Sequence, residues 1–200
     1  MKKVLILLLI TLLGCTQQTN NINRTIRRWS QSPYVIYIQP YEGFSEKEVN
    51  RIIPELNEQF HHWLRGKWEF KVLKPIPLPK VSKYNNKYEA LEILDFQLSK
   101  VKNDVIIIGL THEDICKDNH GFKHYGIIGL SYRPGNVCIV SDKRLKDKSQ
   151  IWKTILHEFM HAYYGAVHCP NDDPTCFMVD AKGKGNLGVQ NKLCNACKKQ

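Results

Sequence analysis

The chain has 200 residues, a formal net charge of +10 and seven cysteines. This length predicts one domain, with or without a small appendage, and is sufficient to bury a hydrophobic core without disulfide staples. The hydrophobic content of 42% and the charged content of 24% are typical of globular proteins and exclude a disordered, collagen-like or coiled-coil chain. The pI of about 9.2 favours acidic partners such as nucleic acid or anionic lipid.

Residues 1–15 have the features of an export signal. Lys2 and Lys3 precede an apolar run of ten residues. This run is too short to cross a hydrocarbon layer about 30 Å thick as a helix, but it fits the core of a secretory signal. It ends in Leu-Leu-Gly-Cys, which resembles the bacterial lipobox. We therefore predict a signal peptide over 1–14 and acylation of Cys15, with an ordinary signal peptide as the alternative.

The polar residues 15–32 are predicted to form a lipidated tether. Acyl chains on Cys15 would hold the protein on a membrane surface without a spanning helix. We therefore predict an exported, membrane-anchored lipoprotein that faces the periplasm or the cell exterior. Loss of Lys2 and Lys3 with the signal peptide would lower the formal charge from +10 by two, to +8.

The remaining residues, 33–200, are predicted to form one α+β domain. Strands are expected where β-branched and aromatic residues cluster, at 33–39, 68–73, 105–110 and 137–141. Helices are expected from apolar spacing and capping residues, at 45–64, 88–98 and 151–164. No regular element is expected after Gly165, so the C-terminal segment is predicted to be irregular.

Several local features sharpen this outline. The continuous apolar run at 105–110 predicts a strand buried on both faces. Pro54 predicts a kink or a break in the first helix. Residues 111–126 are rich in Gly, Asn, Asp and His and are predicted to form a loop. The strand over 135–141 is a candidate edge strand for pairing with an extended peptide.

The third predicted helix carries the motif His157-Glu158-Phe159-Met160-His161. Residues four apart share one helix face, so both imidazoles can reach one Zn²⁺ ion. Glu158 follows the first ligand and is placed to act as a general base on water, as in metal-assisted hydrolysis. The alternative is an exposed helix with two unrelated histidines.

A third histidine follows a helix-breaking residue. His168 lies seven residues beyond His161. In a continuous helix it would lie about 10 Å further along the axis, too far to share a metal ion. Gly165 stands between them, and glycine ends helices in a left-handed conformation. The chain is therefore expected to turn back and bring His168 to the ion as a third ligand.

Four cysteines follow this histidine. Cys194 and Cys197 form a CxxC pair, which is half of a common four-thiolate zinc site, and Cys169 and Cys176 would form the other half. Because an exported protein meets an oxidising compartment, disulfides are the alternative.

Together these motifs resemble the archaemetzincins, metzincin-clan metallopeptidases whose pattern is HExxHxxGxxHC, a following C-x-M and a final CxxC. The likeness extends over 33–197. It implies a metzincin-like fold with a mixed twisted sheet, an active-site helix and a smaller zinc-binding segment at the C-terminus. It also implies two Zn²⁺ ions per chain, one catalytic and one structural.

The resemblance assigns a role to each motif residue. Glu158 would be the general base, and Met178 would form the Met-turn beneath the metal. The catalytic zinc ligands would be His157, His161 and His168, and the structural zinc ligands would be Cys169, Cys176, Cys194 and Cys197.

The sequence departs from the family pattern at two places. Three residues rather than two separate His161 from Gly165. This predicts one extra residue in the helix, as a bulge or a longer last turn, and leaves Asp172 or Asp173 as reserve ligands. The first two cysteines of the set are separated by six residues rather than four.

Three functions from different classes are compatible with these features. The first is a lipid-anchored zinc peptidase, an aminopeptidase or endopeptidase, acting as a monomer on peptide or protein substrates. The second is a catalytically weak, zinc-stabilised binding module in which the longer turn keeps His168 off the metal. The third is nucleic-acid binding, but the chain lacks a reading helix or stacking motif, so we predict no such partner.

Cys116 and Cys138 lie outside the family pattern. Either the two form a disulfide, or Cys138 simply packs in the core within its strand.

Overall fold

The structure is a computed structural model that describes residues 34–101, 105–119, 121–182 and 186–199. The predicted signal peptide, the tether and Cys15 lie outside the described residues. No helix within the described ranges is both long enough and apolar enough to cross a membrane.

The regular elements alternate in the way the sequence predicts. The strands are β1 (Tyr34–Pro40), β2 (Trp68–Val72), β3 (Lys83–Tyr84), β4 (Lys87–Glu89), β5 (Ile106–Thr111), β6 (Ile115–Asn119), β7 (Phe122–Ile127), β8 (Gly129–Ser131) and β9 (Val137–Ser141). The helices are α1 (Glu46–Trp63), α2 (Ala90–Lys100) and α3 (Ile151–Phe159), and α3 continues into a π-helix (Met160–Tyr164). Short 3₁₀ turns cover Lys148–Gln150 and Cys197–Lys199.

Two mixed sheets form the framework. The five-stranded sheet has the order β2-β1-β5-β9-β8, in which β8 is an antiparallel edge and the other neighbours are parallel. The four-stranded sheet has the order β3-β4-β6-β7. The four strands predicted from the sequence are the parallel members of the larger sheet. The central strands β5 and β9 are continuous apolar runs, as parallel strands covered on both faces are, whereas β2 alternates apolar and charged residues.

Helices cover both faces of the larger sheet. All six residues of β5 are buried, which confirms the prediction for this run. Its side chains alternate between two buried clusters. The cluster on the side of α1 and α3 includes Ile36, Ile38, Phe60, Ile106, Ile108, Cys138, Ile155 and Phe159. The cluster on the side of α2 includes Ala90, Ile93, Leu94, Ile107, Val137 and Ile139.

Helix α1 begins at a capping box and passes through Pro54. The Ser45 hydroxyl accepts a hydrogen bond from the backbone N–H of Glu48, whose carboxylate accepts one from the backbone N–H of Ser45. The helix is continuous on both sides of Pro54, so the predicted break does not occur, and the alternative of a kink stays a prediction. Buried residues flank the proline, Val49 before it and Leu56 after it, so core packing holds both halves in one helix.

Two further predictions are corrected. Residues predicted as a loop over 111–126 instead contain most of the antiparallel hairpin formed by β6 and β7. This sheet is only partly covered, so its strands tolerate the polar residues that suggested a loop. The predicted edge strand is also wrong, because β9 lies between β5 and β8, and β8 is the edge.

Candidate metal centre

His157 and His161 lie one helical turn apart and face the same point. His157 belongs to α3, and His161 belongs to the π-helix that continues it. Their Nε2 atoms are 3.0 Å apart. The structure therefore brings together the two imidazoles that the spacing of four residues places on one face.

Backbone carbonyl groups fix both rings. Nδ1 of His157 donates to the carbonyl oxygen of Phe177 at 2.7 Å, and Nδ1 of His161 donates to that of Ala166 at 2.6 Å. A carbonyl oxygen can only accept, so each Nδ1 carries the proton and each Nε2 keeps its lone pair. The fold thus selects the tautomer that a metal ligand needs.

Burial keeps both rings neutral. It lowers the pKa of His157, and burial together with the nearby His157 lowers the pKa of His161 to about 3. Two lone pairs that face each other at 3.0 Å repel unless a cation lies close to both. The donor set therefore fits Zn²⁺, which binds neutral imidazole nitrogen.

The extra residue before Gly165 is accommodated in a π-helical turn. Residues Met160–Tyr164 form this turn, and Gly165 ends it in the left-handed conformation with a φ of 68°. The carbonyl oxygen of Ala162 then accepts a hydrogen bond from the backbone N–H of Gly135 at 3.0 Å. The predicted bulge is confirmed, since a π-turn inserts one residue into an α-helix.

After this turn the chain doubles back and brings His168 to the pair. The ring centroid of His168 lies 4.8 Å from that of His161 and 5.4 Å from that of His157. One candidate ligand nitrogen from each of the three residues lies within 4.8 Å of the others. Nδ1 of His168 is 3.8 Å from the carboxylate of Asp180.

The two reserve ligands are engaged elsewhere. Asp172 pairs with Lys182 at 3.1 Å, and Asp173 pairs with Lys192 at 3.3 Å. Neither belongs to the histidine cluster in the described part of the chain. The longer turn therefore does not separate His168 from the other two histidines.

Glu158 is buried beside this cluster and contacts the edge strand. The Ser131 hydroxyl of β8 donates to Oε2 of Glu158 at 2.8 Å. A Cβ added at Gly129 would lie 2.6 Å from Oε1, so glycine at this position leaves room for the carboxylate. Burial raises the pKa of Glu158 to about 7, which makes it a stronger base than an ordinary glutamate.

Met178 belongs to the segment that supports the histidines. Its side chain is fully buried in the core. Its carbonyl oxygen accepts a hydrogen bond from the backbone N–H of Cys169 at 2.7 Å, next to His168 in the chain. The preceding residue, Phe177, supplies the carbonyl that orients His157. The position of the Met178 side chain beneath a metal ion stays a prediction.

The four C-terminal cysteines converge in a second cluster. One sulfur from each residue lies within 4.8 Å of the others, and the sulfurs of Cys169 and Cys194 are 3.6 Å apart. No disulfide links any two of the four, so the disulfide alternative is not formed. Burial alone would raise the pKa of Cys194, but hydrogen bonds from the Cys197 backbone and the neighbouring thiols lower it to about 7. Burial raises the pKa of Cys176 and Cys197, so a bound zinc ion would have to displace their thiol protons, as metal binding to cysteine normally does.

A comparison with known proteins decides the family. An archaemetzincin from Nanoarchaeum equitans (strain Kin4-M) is 31% identical to this chain over 129 residues, which cover 64% of the chain and 69% of that protein. The chain belongs to the archaemetzincins. No family model matches the sequence.

Solved structures support the archaemetzincin fold. The crystal structure of archaemetzincin from Methanopyrus kandleri superposes with a TM-score of 0.70 at 24% identity, covering 85% of this chain and 94% of that one. The crystal structure of a zinc-dependent peptidase from Methanocorpusculum labreanum (strain Z) superposes with a TM-score of 0.65 at 20% identity. The superposition covers 82% of this chain and 98% of that one. The predicted α+β fold with mixed sheets is therefore confirmed.

Some contacts of this archaemetzincin site were missed at the sequence level. Ser131 and Gly129 lie on β8, a strand of three residues that is too short for a periodic signal. The carbonyl groups of Phe177 and Ala166 act through the backbone, which no side-chain motif reveals.

Proposed function

We propose that this archaemetzincin hydrolyses peptide bonds with His157, His161 and His168 as zinc ligands and Glu158 as the general base. As a member of the archaemetzincins, the chain belongs to a family of zinc-dependent peptidases. The proposal rests above all on the convergence of three imidazoles, two of them fixed through Nδ1, beside a buried carboxylate. This convergence favours a peptidase over a weak binding module, because the longer turn does not remove His168.

Zinc, Glu158 and Ser131 would have different roles in hydrolysis. Zinc, when bound, would polarise the scissile carbonyl and make water more acidic. Glu158 would take a proton from water at a carboxylate oxygen and later deliver it to the leaving amine. Ser131 would hold the carboxylate in place through the hydrogen bond to Oε2.

The edge strand β8 is the element best placed to receive the substrate. Its outer edge has no neighbouring strand in the described sheet, and it carries the Ser131 that contacts Glu158. An extended peptide can pair with such an edge through its main chain. Substrate residues would then pass next to the general base.

The cysteine cluster is proposed to hold a second, structural zinc through Cys169, Cys176, Cys194 and Cys197. Four thiolates with no open position are typical of structural zinc sites. The chain would then bind two Zn²⁺ ions at these sites and act as a monomer.

The test of the peptidase activity uses a mixed peptide library incubated with zinc-loaded protein and analysed by mass spectrometry. We expect cleaved products that disappear after treatment with a strong chelator and return when Zn²⁺ is added back. A heat-denatured sample controls for peptide breakdown. Absence of products from folded, zinc-loaded protein over a sequence-diverse library would contradict the proposal.

We further propose that the protein is exported and anchored through acylated Cys15, after a signal peptide over 1–14. The support is the sequence pattern of a positive start, a short apolar run and a terminal Leu-Leu-Gly-Cys. The wild type is expected to sediment with membranes and to be released by detergent but not by high salt, which separates lipid anchoring from attraction by the basic chain. Its mature mass should include acyl groups, and Cys15→Ser should lack them. Release of the wild type by salt alone would overturn the anchor.

A further inference from the structure

A second group of metal-binding residue types lies in the four-stranded sheet, outside the histidine and cysteine clusters. It consists of Glu89, Cys116 and His124. One ligand atom from each residue lies within 4.8 Å of the others. Cys116 and Cys138 are both free thiols, so Cys116 is not used in the disulfide that the sequence left open.

The strand register explains why the three side chains meet. Glu89 of β4 pairs directly with Cys116 of β6 in a parallel ladder, so both side chains lie on the same face. Cys116 in turn pairs with Gly126 of β7, and His124 is two residues before Gly126 on that strand. The register of β6 and β7 shifts between Lys117 and Asn119, and the irregular backbone at this point brings the His124 imidazole to Glu89 and Cys116.

Two polar atoms of the group are buried without a partner. Oε1 of Glu89 and Nδ1 of His124 have no hydrogen bond to any residue that the structure describes. A buried polar atom without a partner is costly and rare. A cation bound between the two would satisfy both, and the nearby thiol of Cys116 would complete the set.

His124 is held firmly in this position. Its backbone has a φ of 51°, its N–H donates to the Asp118 carboxylate at 2.9 Å, and its carbonyl accepts from Lys87 at 2.6 Å. The ring of Tyr84 stacks on the imidazole with a centroid distance of 3.6 Å. A non-glycine residue in the left-handed region needs such support, and strained residues of this kind concentrate at functional sites.

The donor set identifies the class of ion. A thiolate, an imidazole and a carboxylate together are ligands that Zn²⁺ accepts, whereas Mg²⁺ and Ca²⁺ bind through oxygen. Burial raises the pKa of Cys116 to about 11 and also raises that of Glu89. The ion must therefore displace the thiol proton, which metal binding to cysteine normally does.

We propose that Glu89, Cys116 and His124 form an additional zinc site, which links β4, β6 and β7. Three protein ligands leave one position of a tetrahedral ion for water or a further group. The carboxylate of Asp118 lies 3.9 Å from Nδ1 of His124. The proposal is independent of peptidase activity and of both zinc sites described above.

The experiment measures zinc per folded chain by elemental analysis, after loading with Zn²⁺ and gel filtration in metal-free buffer. Cys116→Ala and His124→Ala are compared with Cys138→Ala and His61→Ala, which replace the same residue types outside the cluster. We expect the two cluster variants to bind one zinc ion fewer than the wild type, and the two controls to match it. His124 is 32% exposed, so its replacement should leave the fold intact even if Cys116→Ala does not fold.

The outcome is decided by His124→Ala and its control. Equal zinc content in His124→Ala, His61→Ala and the wild type would overturn the site. Failure of the peptidase assay would leave this result unaffected, because zinc content is read without any substrate.

Discussion

Replacement of Glu158 by glutamine is expected to lower kcat/KM for peptide cleavage by about 10²–10⁴-fold without loss of zinc. Glutamine has nearly the same shape, fits beside Gly129, and can accept the hydrogen bond from Ser131. It cannot take a proton from water. The measurement pairs the rate of cleavage with zinc content and the thermal midpoint of the same samples.

The matched control is Glu58→Gln, on the exposed side of α1, which should retain full activity. A graded comparison comes from Ser131→Ala, which leaves the carboxylate but removes its donor. This variant should lose about tenfold in kcat with little change in KM, since one hydrogen bond to a charged group contributes about 1.5 kcal/mol or more. Full activity in Glu158→Gln with intact zinc would show that another group acts as the base.

The sequence predicted the main sheet well because its central strands are buried. The run at 105–110 became β5, whose six residues are all buried, and its neighbour β9 is also buried throughout, whereas β1 and β2 were found from their β-branched and aromatic residues. The hairpin of β6 and β7 was missed for the opposite reason, since its residues are half-exposed and polar. Amino-acid composition therefore predicts a buried strand more reliably than a strand that is partly exposed.

The histidine site could be predicted because it depends on short-range features of the sequence. Helical spacing and the conformation of one glycine determine where the three histidines lie. His157 and His161 needed only one helical turn, and Gly165 ended the helix as expected. The support of Glu158 by β8 depends on sheet order, which places residue 131 beside residue 158. Local sequence patterns carry no information about such a contact, and the zinc site proposed at Glu89 depends on register in the same way.

Replacement of Cys176 by alanine is expected to remove the structural zinc and also to impair the histidine site. Loss of a bound metal is among the few changes that lower the free energy of unfolding by more than about 4 kcal/mol. The residue after it, Phe177, orients His157 through its carbonyl, and the next, Met178, binds the backbone of Cys169. A loosened cysteine cluster should therefore release the group that fixes His157.

The matched control is Cys138→Ala, because Cys138 is equally buried but lies in β9 outside the cysteine cluster. It should cost about 1–2 kcal/mol through lost packing and leave the zinc content unchanged. Urea unfolding, zinc content and kcat/KM per folded chain distinguish the two variants.

In Cys176→Ala, activity should fall further than the folded fraction, since His168 directly precedes Cys169 and moves with it. Loss of one zinc ion with full activity would show that the two clusters act independently. Loss of both the structural and the catalytic zinc ion would show that the thiolate cluster holds two of the three histidines in place. It would hold His157 through Phe177 and His168 through Cys169.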